Sequence, residues 1–213
     1  MLTDFYLRPA AGEIASSELE IKRSRFLGFI TRAETEEEAR DFIHQIKSTY
    51  PDARHHCSAF ICQVDQAVPI ERSSDDGEPS GTAGKPMLEV LKGSALLDIV
   101  AVSVRYFGGV KLGTGGLVRA YSDSVTETLL QVNRTRRSLR ELYRFDVDFA
   151  QAGRLEAELR ARDVAIVDLA YDSRARFVVG TAPGGGERLA AVLAELSSGG
   201  IAPKEAGTQW IGE

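Results

Sequence analysis

The chain has 213 residues, of which 43% are hydrophobic and 27% charged, and its formal net charge is -5. These values are typical of a globular protein with one large or two small domains. The acidic balance argues against a dedicated nonspecific nucleic-acid binder, whose affinity comes mainly from neutralised phosphates. No apolar run approaches the roughly 18 residues of a membrane helix, and the first residues lack the pattern of a secretory signal. We therefore expect a cytoplasmic protein without a membrane segment.

The first elements along the chain are strand signals followed by a helix. Apolar positions predict strands within residues 18–30. Thr35 and Glu38 then form a capping box, and the apolar face that follows predicts a helix. Pro51 is expected to end that helix. His44 falls off the apolar face, so we expect its side chain to be solvated.

A strand predicted over residues 54–64 carries both cysteines of the chain. Cys57 and Cys62 are five residues apart, so in an alternating strand they point to opposite faces and form no disulfide. We interpret them as buried thiols in a reducing compartment. A metal site built from His55, His56 and Cys57 is not favoured, because adjacent strand residues point apart and no second ligand pair has zinc spacing. No metal or other cofactor is predicted.

The most informative segment spans residues 105–121 and reads RYFGGVKLGTGGLVRAY. A β-branched and aromatic run over residues 96–107 predicts a buried strand before it. After it, Leu117, Tyr121 and Val125 recur at helical spacing. Five glycines between the two elements imply special backbone geometry or close approach by a ligand. Because the loop opens a helix, free amides and the positive end of the helix dipole favour an anion there.

Neither glycine segment matches a nucleotide-binding motif. The run GTAGKP lacks the first glycine of a P-loop, since Pro79 stands there, and Pro86 replaces the Ser/Thr that would hold magnesium. In the run GTGGLV, Val118 occupies the third glycine position of the dinucleotide fingerprint. The run KLGTGG resembles the loop of the GHMP small-molecule kinases only loosely. Alternatively, the glycine loop binds no ligand and is a tight crossover whose backbone passes close to the sheet.

The second half of the chain has a pattern of its own, which begins after a change in composition near residues 133–140. It predicts a strand at 139–149, a helix at 151–162, strands at 164–171 and 174–181, a helix at 185–197 and a strand at 200–211. This βαββαβ order is the split ferredoxin-like arrangement. We predict an α+β protein with domains at residues 1–137 and 138–213.

Three motifs carry a resemblance to a known family: ARHHC at residues 53–57, SSDDGEPSGTAGKP at 73–86, and the glycine segment. In this order they resemble the YigZ/IMPACT family of translation regulators, over about residues 22–130. The resemblance implies an N-terminal domain with the fold named after the second domain of a small-subunit ribosomal protein, also found in domain IV of elongation factor G. It implies a ferredoxin-like C-terminal domain similar to domain V of that factor. Structured RNA, the ribosome or a translation-related protein is the implied partner, and the oligomeric state is left open.

An acidic loop spans residues 73–78, where Asp75, Asp76 and Glu78 surround Gly77. Such a loop can hold a divalent cation or provide a general base. Its spacing matches no calcium loop, and the alternative is a solvated turn. An enzyme is the less favoured class, because no Ser/His/Asp order with a nucleophile elbow is present. It would be a hydrolase using Asp75, Asp76 and His56, or a phosphate-binding transferase using the glycine loop.

The predicted function is a binding module in translation that presents a glycine-rich basic surface, with no catalytic residue assigned. The residues predicted to bind are Arg54, His55, His56, Lys85, Arg105, Lys111 and Arg119, the acidic Asp75, Asp76 and Glu78, and the glycines Gly108, Gly109, Gly113, Gly115 and Gly116. An enzyme would gather these groups in a pocket, whereas a binding module would spread them over an open face.

Overall fold

A computed structural model describes residues 4–65, 67–162 and 164–212. It divides the chain into two compact units. The N-terminal unit is Tyr6–Thr135, and the C-terminal unit runs from Arg136 onward and includes residues 4 and 5. The chain passes from the N-terminal to the C-terminal unit between Thr135 and Arg136, whereas the predicted division follows residue 137. Both units combine strands and helices, so the predicted α+β class is confirmed.

The N-terminal unit is built on one antiparallel sheet with strand order β2-β3-β6-β4-β5. In chain order the elements up to its end are β1 (Phe5–Pro9), β2 (Ile14–Ile21), β3 (Ser24–Arg32), α1 (Glu36–Thr49), β4 (His55–Cys62), β5 (Ile70–Ser74), α2 (Gly84–Gly93), β6 (Ile99–Tyr106) and α3 (Thr114–Leu129). Helices α2 and α3 pack on one face of the sheet, and α1 packs on the other. This arrangement places the start of α3 at the end of the central strand β6.

Helix α1 begins and ends as the sequence predicts. The Thr35 side chain accepts a hydrogen bond from the amide of Glu38 at 3.1 Å, and the helix ends at Thr49, just before Pro51. Phe42 and Ile46 are buried against the sheet. His44 is exposed, as expected for a residue off the apolar face.

The two cysteines lie on opposite faces of β4, as the alternation of a strand requires. Cys57 is in the core beneath α2 and α3, whereas Cys62 is in the core beneath α1. Both are buried free thiols, which confirms the prediction. Burial raises the pKa of each thiol to about 12. Neither is therefore a thiolate nucleophile near neutral pH.

A two-residue turn, Lys22 and Arg23, joins β2 to β3. Both residues have positive φ, 49° and 67°, which is the geometry of a type I′ hairpin turn. That turn favours Asn-Gly, because a β-carbon in the left-handed region is strained. Both side chains are exposed. The chain therefore has two basic residues at positions where the backbone conformation favours Asn and Gly.

We expect the double variant K22N/R23G to raise the free energy of unfolding by about 1–2 kcal/mol, because it removes left-handed strain at both positions. The measurement is urea unfolding followed by circular dichroism. The double variant K22A/R23A is the matched control, since it removes the same charges but keeps both β-carbons. Equal stability of the two double variants would show that the turn holds no relievable strain.

The C-terminal unit has the predicted βαββαβ order, which is confirmed. Its elements are β7 (Arg134–Val147), α4 (Phe149–Ala161), β8 (Ala165–Tyr171), β9 (Ala175–Thr181), α5 (Gly186–Ser197) and β10 (Lys204–Gly212). The antiparallel order β10-β7-β9-β8 is that of a ferredoxin-like sheet. The chain start joins it, because the Leu139 amide donates to the carbonyl of Asp4 at 2.8 Å. Helices α4 and α5 share one core with a single face of the sheet, and among the described residues of this unit no helix packs on the other face.

Candidate functional site

A cleft of about 450 Å³ lies beside the amino end of α3 in the N-terminal unit. Its walls come from the start of β4, the loop after β5, the end of β6 and the glycine loop. The lining residues are Arg54, His55, Gly77, Glu78, Pro79, Arg105, Phe107, Lys111, Leu112, Gly113, Thr114 and Leu117. All three sequence motifs therefore contribute to one concave site.

A buried ion pair forms the floor of this cleft. Glu78 Oε1 accepts hydrogen bonds from Arg105 Nη1 at 2.6 Å and from the Tyr121 hydroxyl at 2.7 Å. The side chains of Glu78 and Arg105 are only 4% and 7% exposed. Ser24 Oγ lies 3.5 Å from Arg105 Nη2. Arg105 was predicted to be a surface cation, but the structure makes it half of a buried, charge-neutral pair.

The three carboxylates of the acidic loop do not form a common site. Glu78 lies in the cleft, whereas Asp75 caps α2 by accepting from the amides of Gly81, Ala83 and Gly84 at 2.7–3.0 Å. Burial works against the charge of Asp75, but these three amides outweigh it and hold its pKa below the usual value. Asp75 thus stabilises a helix start and does not line the cleft.

Asp76 is likewise engaged outside the cleft. It accepts from Lys47 Nζ and from the His56 amide, both at 2.7 Å. Burial opposes its ionisation, yet these two bonds and the charge of Lys47 lower its pKa. Of the three groups in the hydrolase hypothesis, His56 and Asp76 come together, with His56 Nδ1 3.6 Å from Asp76 Oδ2. Asp75 is held at the start of α2, and none of the three residues lines the cleft.

The adjacent histidines face opposite sides of the sheet. His56 points toward α1, where its Nε2 lies 2.9 Å from the carbonyl oxygen of Tyr50. His55 lines the cleft, and its Nδ1 lies 2.9 Å from the carbonyl oxygen of Asp76. The other ring nitrogen of His55, Nε2, lies 3.9 Å from Glu78 Oε1. Only His55 of the two is placed to meet a ligand in the cleft.

The glycines of the loop have different roles. Gly109 and Gly113 have positive φ, 84° and 75°. A β-carbon on Gly108 would lie 1.9 Å from the carbonyl oxygen of Arg23, so this position needs glycine for close backbone approach. Gly116 is tight against Leu112. These four glycines meet needs of the chain itself.

Gly115 differs from the other loop glycines, because a β-carbon there would meet nothing within 4 Å. It lies exposed in the first turn of α3, whose amino end has no capping side chain and no acidic residue. The first intrahelical bond begins with the Leu117 amide, which donates to the Gly113 carbonyl. The amides before Leu117 have no partner within the helix, so their N–H groups can donate to a ligand. The positive end of the helix dipole lies at the same place.

The predicted cations are distributed unevenly around this helix start. Arg54 and Lys111 are exposed and line the cleft. Lys85 is exposed on α2 and does not line it. Arg119 is 86% exposed, does not line it, and faces Asp123 at 3.7 Å one turn along α3.

The turn of Lys22 and Arg23, whose backbone contacts Gly108, was not predicted from the sequence. Two strand patterns separated by only two residues indicate a tight hairpin, and this spacing could have predicted the turn. The turn adds two exposed positive charges beside the glycine loop.

Among the described residues, no helix is long and apolar enough to cross a membrane. Within the same residues, no group of three or more His, Cys, Asp or Glu side chains is arranged to hold a metal ion.

Fold and site together define an α+β protein of two units, one of which carries a cleft with basic residues at the amino end of a helix. The family model for the Impact N-terminal domain matches residues 22–129, and a model described as a domain of unknown function, DUF1949, matches residues 145–199. The chain belongs to the IMPACT family, as its three motifs indicate.

Relatives match most of the chain. The IMPACT family member YvyE of Bacillus subtilis is 42% identical over 83% of this chain and 79% of its own length. The family member YigZ of Escherichia coli is 38% identical over 85% of this chain and 89% of its own. A crystal structure of a hypothetical protein is 37% identical, covers 95% of this chain and 97% of that one, and has a TM-score of 0.67. The two-unit architecture is thus shared with a solved structure.

Proposed function

We propose that this protein acts in the regulation of translation by binding structured RNA, with a phosphate group seated at the amino end of α3. The role in translation follows the resemblance to its family, and a cytoplasmic location on or near the ribosome is part of the same proposal. One observation carries the RNA contact. The uncapped first turn of α3 opens into the same cleft as the exposed Lys111 and Arg54.

The chemistry of this corner fits a phosphate. Backbone amides at a helix start donate to phosphate oxygens, and the helix dipole adds attraction for their charge. Gly115 leaves open space beside those amides. Lys111 supplies a mobile ammonium group, and Arg54 provides a second cation at the other wall. A phosphate chain passing over the cleft would meet all these donors.

The charge distribution favours docking at one place on a folded RNA over nonspecific coating. The whole chain is acidic, with a formal charge of -5, so its long-range field does not attract polyanions. Local attraction arises around the cleft, where Lys22 and Arg23 join Lys111 and Arg54. An acidic protein partner is the competing occupant of the same surface.

The test compares the variants K111A and R119A in filter binding of tRNA and ribosomal RNA at several salt concentrations. K111A is expected to weaken binding several-fold across many RNA sequences and to lower the slope of log affinity against log salt by about one unit, because one phosphate contact is lost. R119A is the matched control, since Arg119 is exposed on the same helix but outside the cleft. It should bind as the wild type does.

Two results would reject the RNA contact at the cleft. Wild-type protein without salt-dependent RNA binding would reject RNA as the ligand. Capture of one defined protein from cell extract, lost in K111A but kept in R119A, would then favour the protein partner. Equal loss of RNA affinity in K111A and R119A would show a diffuse charge effect with no site at the helix start.

A further inference from the structure

The helix-free face of the C-terminal sheet carries a second basic groove, of about 550 Å³. Four cations line it, Arg144 on β7, Arg174 and Arg176 at the β9 hairpin, and Lys204 at the start of β10, against the single carboxylate of Asp146. All four basic side chains belong to exposed residues. In an acidic chain, this is a local reversal of charge.

The pairing register makes two of these cations unusual. Arg144 and Lys204 lie directly opposite each other in the antiparallel β7–β10 pair. Like charges at directly opposed positions destabilise a sheet, since their β-carbons are only about 4.5–5.5 Å apart. A neutral or acidic residue at either position would remove this repulsion.

The nearby carboxylates do not relieve the repulsion. Asp146 Oδ1 lies 3.4 Å from Arg176 Nε, and Asp148 Oδ1 lies 3.1 Å from Arg174 Nη2. Within the part of the chain that the structure describes, Arg144 and Lys204 have no ion-pair partner. An anion between them would supply the missing countercharge.

We infer that this groove binds the phosphodiester backbone of nucleic acid, with Arg144 and Lys204 as the central phosphate contacts. Arg174 and Arg176, which are exposed and already paired, lie at its flank and extend the positive track. The one aromatic residue in the lining, Phe145, is buried and stacks on Phe177 in the core, with ring centroids 5.4 Å apart. It offers no ring to a base, so the groove reads phosphates and not sequence.

The experiment measures fluorescence anisotropy of a labelled oligouridylate with the full chain at several salt concentrations. R144A and K204A are each expected to weaken binding about three- to tenfold and to lower the salt slope by about 0.7, the value for one contact to a single strand. R154A is the matched control, because Arg154 is exposed on α4 and outside the groove. It should bind within about twofold of wild type.

The variant K204E separates this role from a structural one. It places a carboxylate opposite Arg144, so the melting temperature is expected to stay the same or rise while oligouridylate affinity falls. A purely structural lysine would show no change in affinity. Wild-type affinity and salt slope in both R144A and K204A, or an equal loss in R154A, would overturn the inference.

This groove is tested independently of the cleft by repeating both alanine variants in the K111A chain. The same further loss of affinity is expected there, because the two sites belong to different units. If K111A alone abolished all salt-dependent oligouridylate binding, the groove would be rejected and the cleft would stand. Loss of oligouridylate binding in R144A and K204A with K111A at wild-type affinity would support the groove, and the cleft would then be judged by its test with tRNA and ribosomal RNA.

Discussion

E78A is expected to lower the free energy of unfolding by about 3–5 kcal/mol, because it leaves the Arg105 guanidinium buried without its countercharge. Both side chains of the pair are more than nine-tenths buried. The same truncation removes the acceptor of the Tyr121 hydroxyl, itself fully buried. An unsatisfied buried donor adds to the cost.

Urea unfolding of E78A, the double variant E78A/R105M and the control D123A tests this account. The double variant is expected to be more stable than E78A, since removing the second charge relieves the unpaired guanidinium. D123A removes the exposed partner of Arg119 and should cost no more than about 1 kcal/mol. An E78A protein within 1 kcal/mol of wild type would show that Arg105 finds another countercharge or reaches water.

G108A is expected to cost about 3 kcal/mol or more, whereas G115A should leave stability unchanged or slightly raised. The new methyl group on Gly108 would overlap the backbone of Arg23 and Ser24, so a strand end must move. On Gly115 it meets open space, and alanine is the better helix former by about 0.5–1 kcal/mol. Thermal melts of both variants provide the measurement.

The same pair separates folding from binding. G115A adds a methyl group beside the open amides of α3, so we expect weaker RNA binding with intact stability. G109A and G113A should fall between the two in stability, because each places a β-carbon at positive φ. Wild-type RNA affinity in G115A would indicate that no ligand approaches the first turn closely. A stable G108A would mean that the β2–β3 turn yields easily.

Elements with strong local signals were predictable, and short polar ones were not. The capping box of α1 and the βαββαβ order follow from residue patterns within one element. The strands β1 and β5 were missed, because each has five residues and β5 has an exposed, polar edge-strand sequence. Such a strand forms because a neighbour offers hydrogen bonds, which a local pattern does not report.

The site was predictable only in part, for a similar reason. Clustered glycines and the basic Lys111 pointed to the start of α3, where the structure has its cleft. Pairing of Arg105 with Glu78 and capping of α2 by Asp75 join residues far apart in sequence. Those contacts turn expected surface charges into structural ones. His55 and His56 were grouped on one surface, although the alternation of a strand already implied opposite faces.

The most direct measurement of the proposed RNA contact is a nuclear magnetic resonance titration of the ¹⁵N-labelled protein with a short RNA hairpin at low salt. Phosphate binding at the start of α3 predicts saturable shifts of the amides of Thr114, Gly115 and Gly116, which are lost in K111A and reversed by added salt. RNA that binds with these three amides unchanged would contradict it.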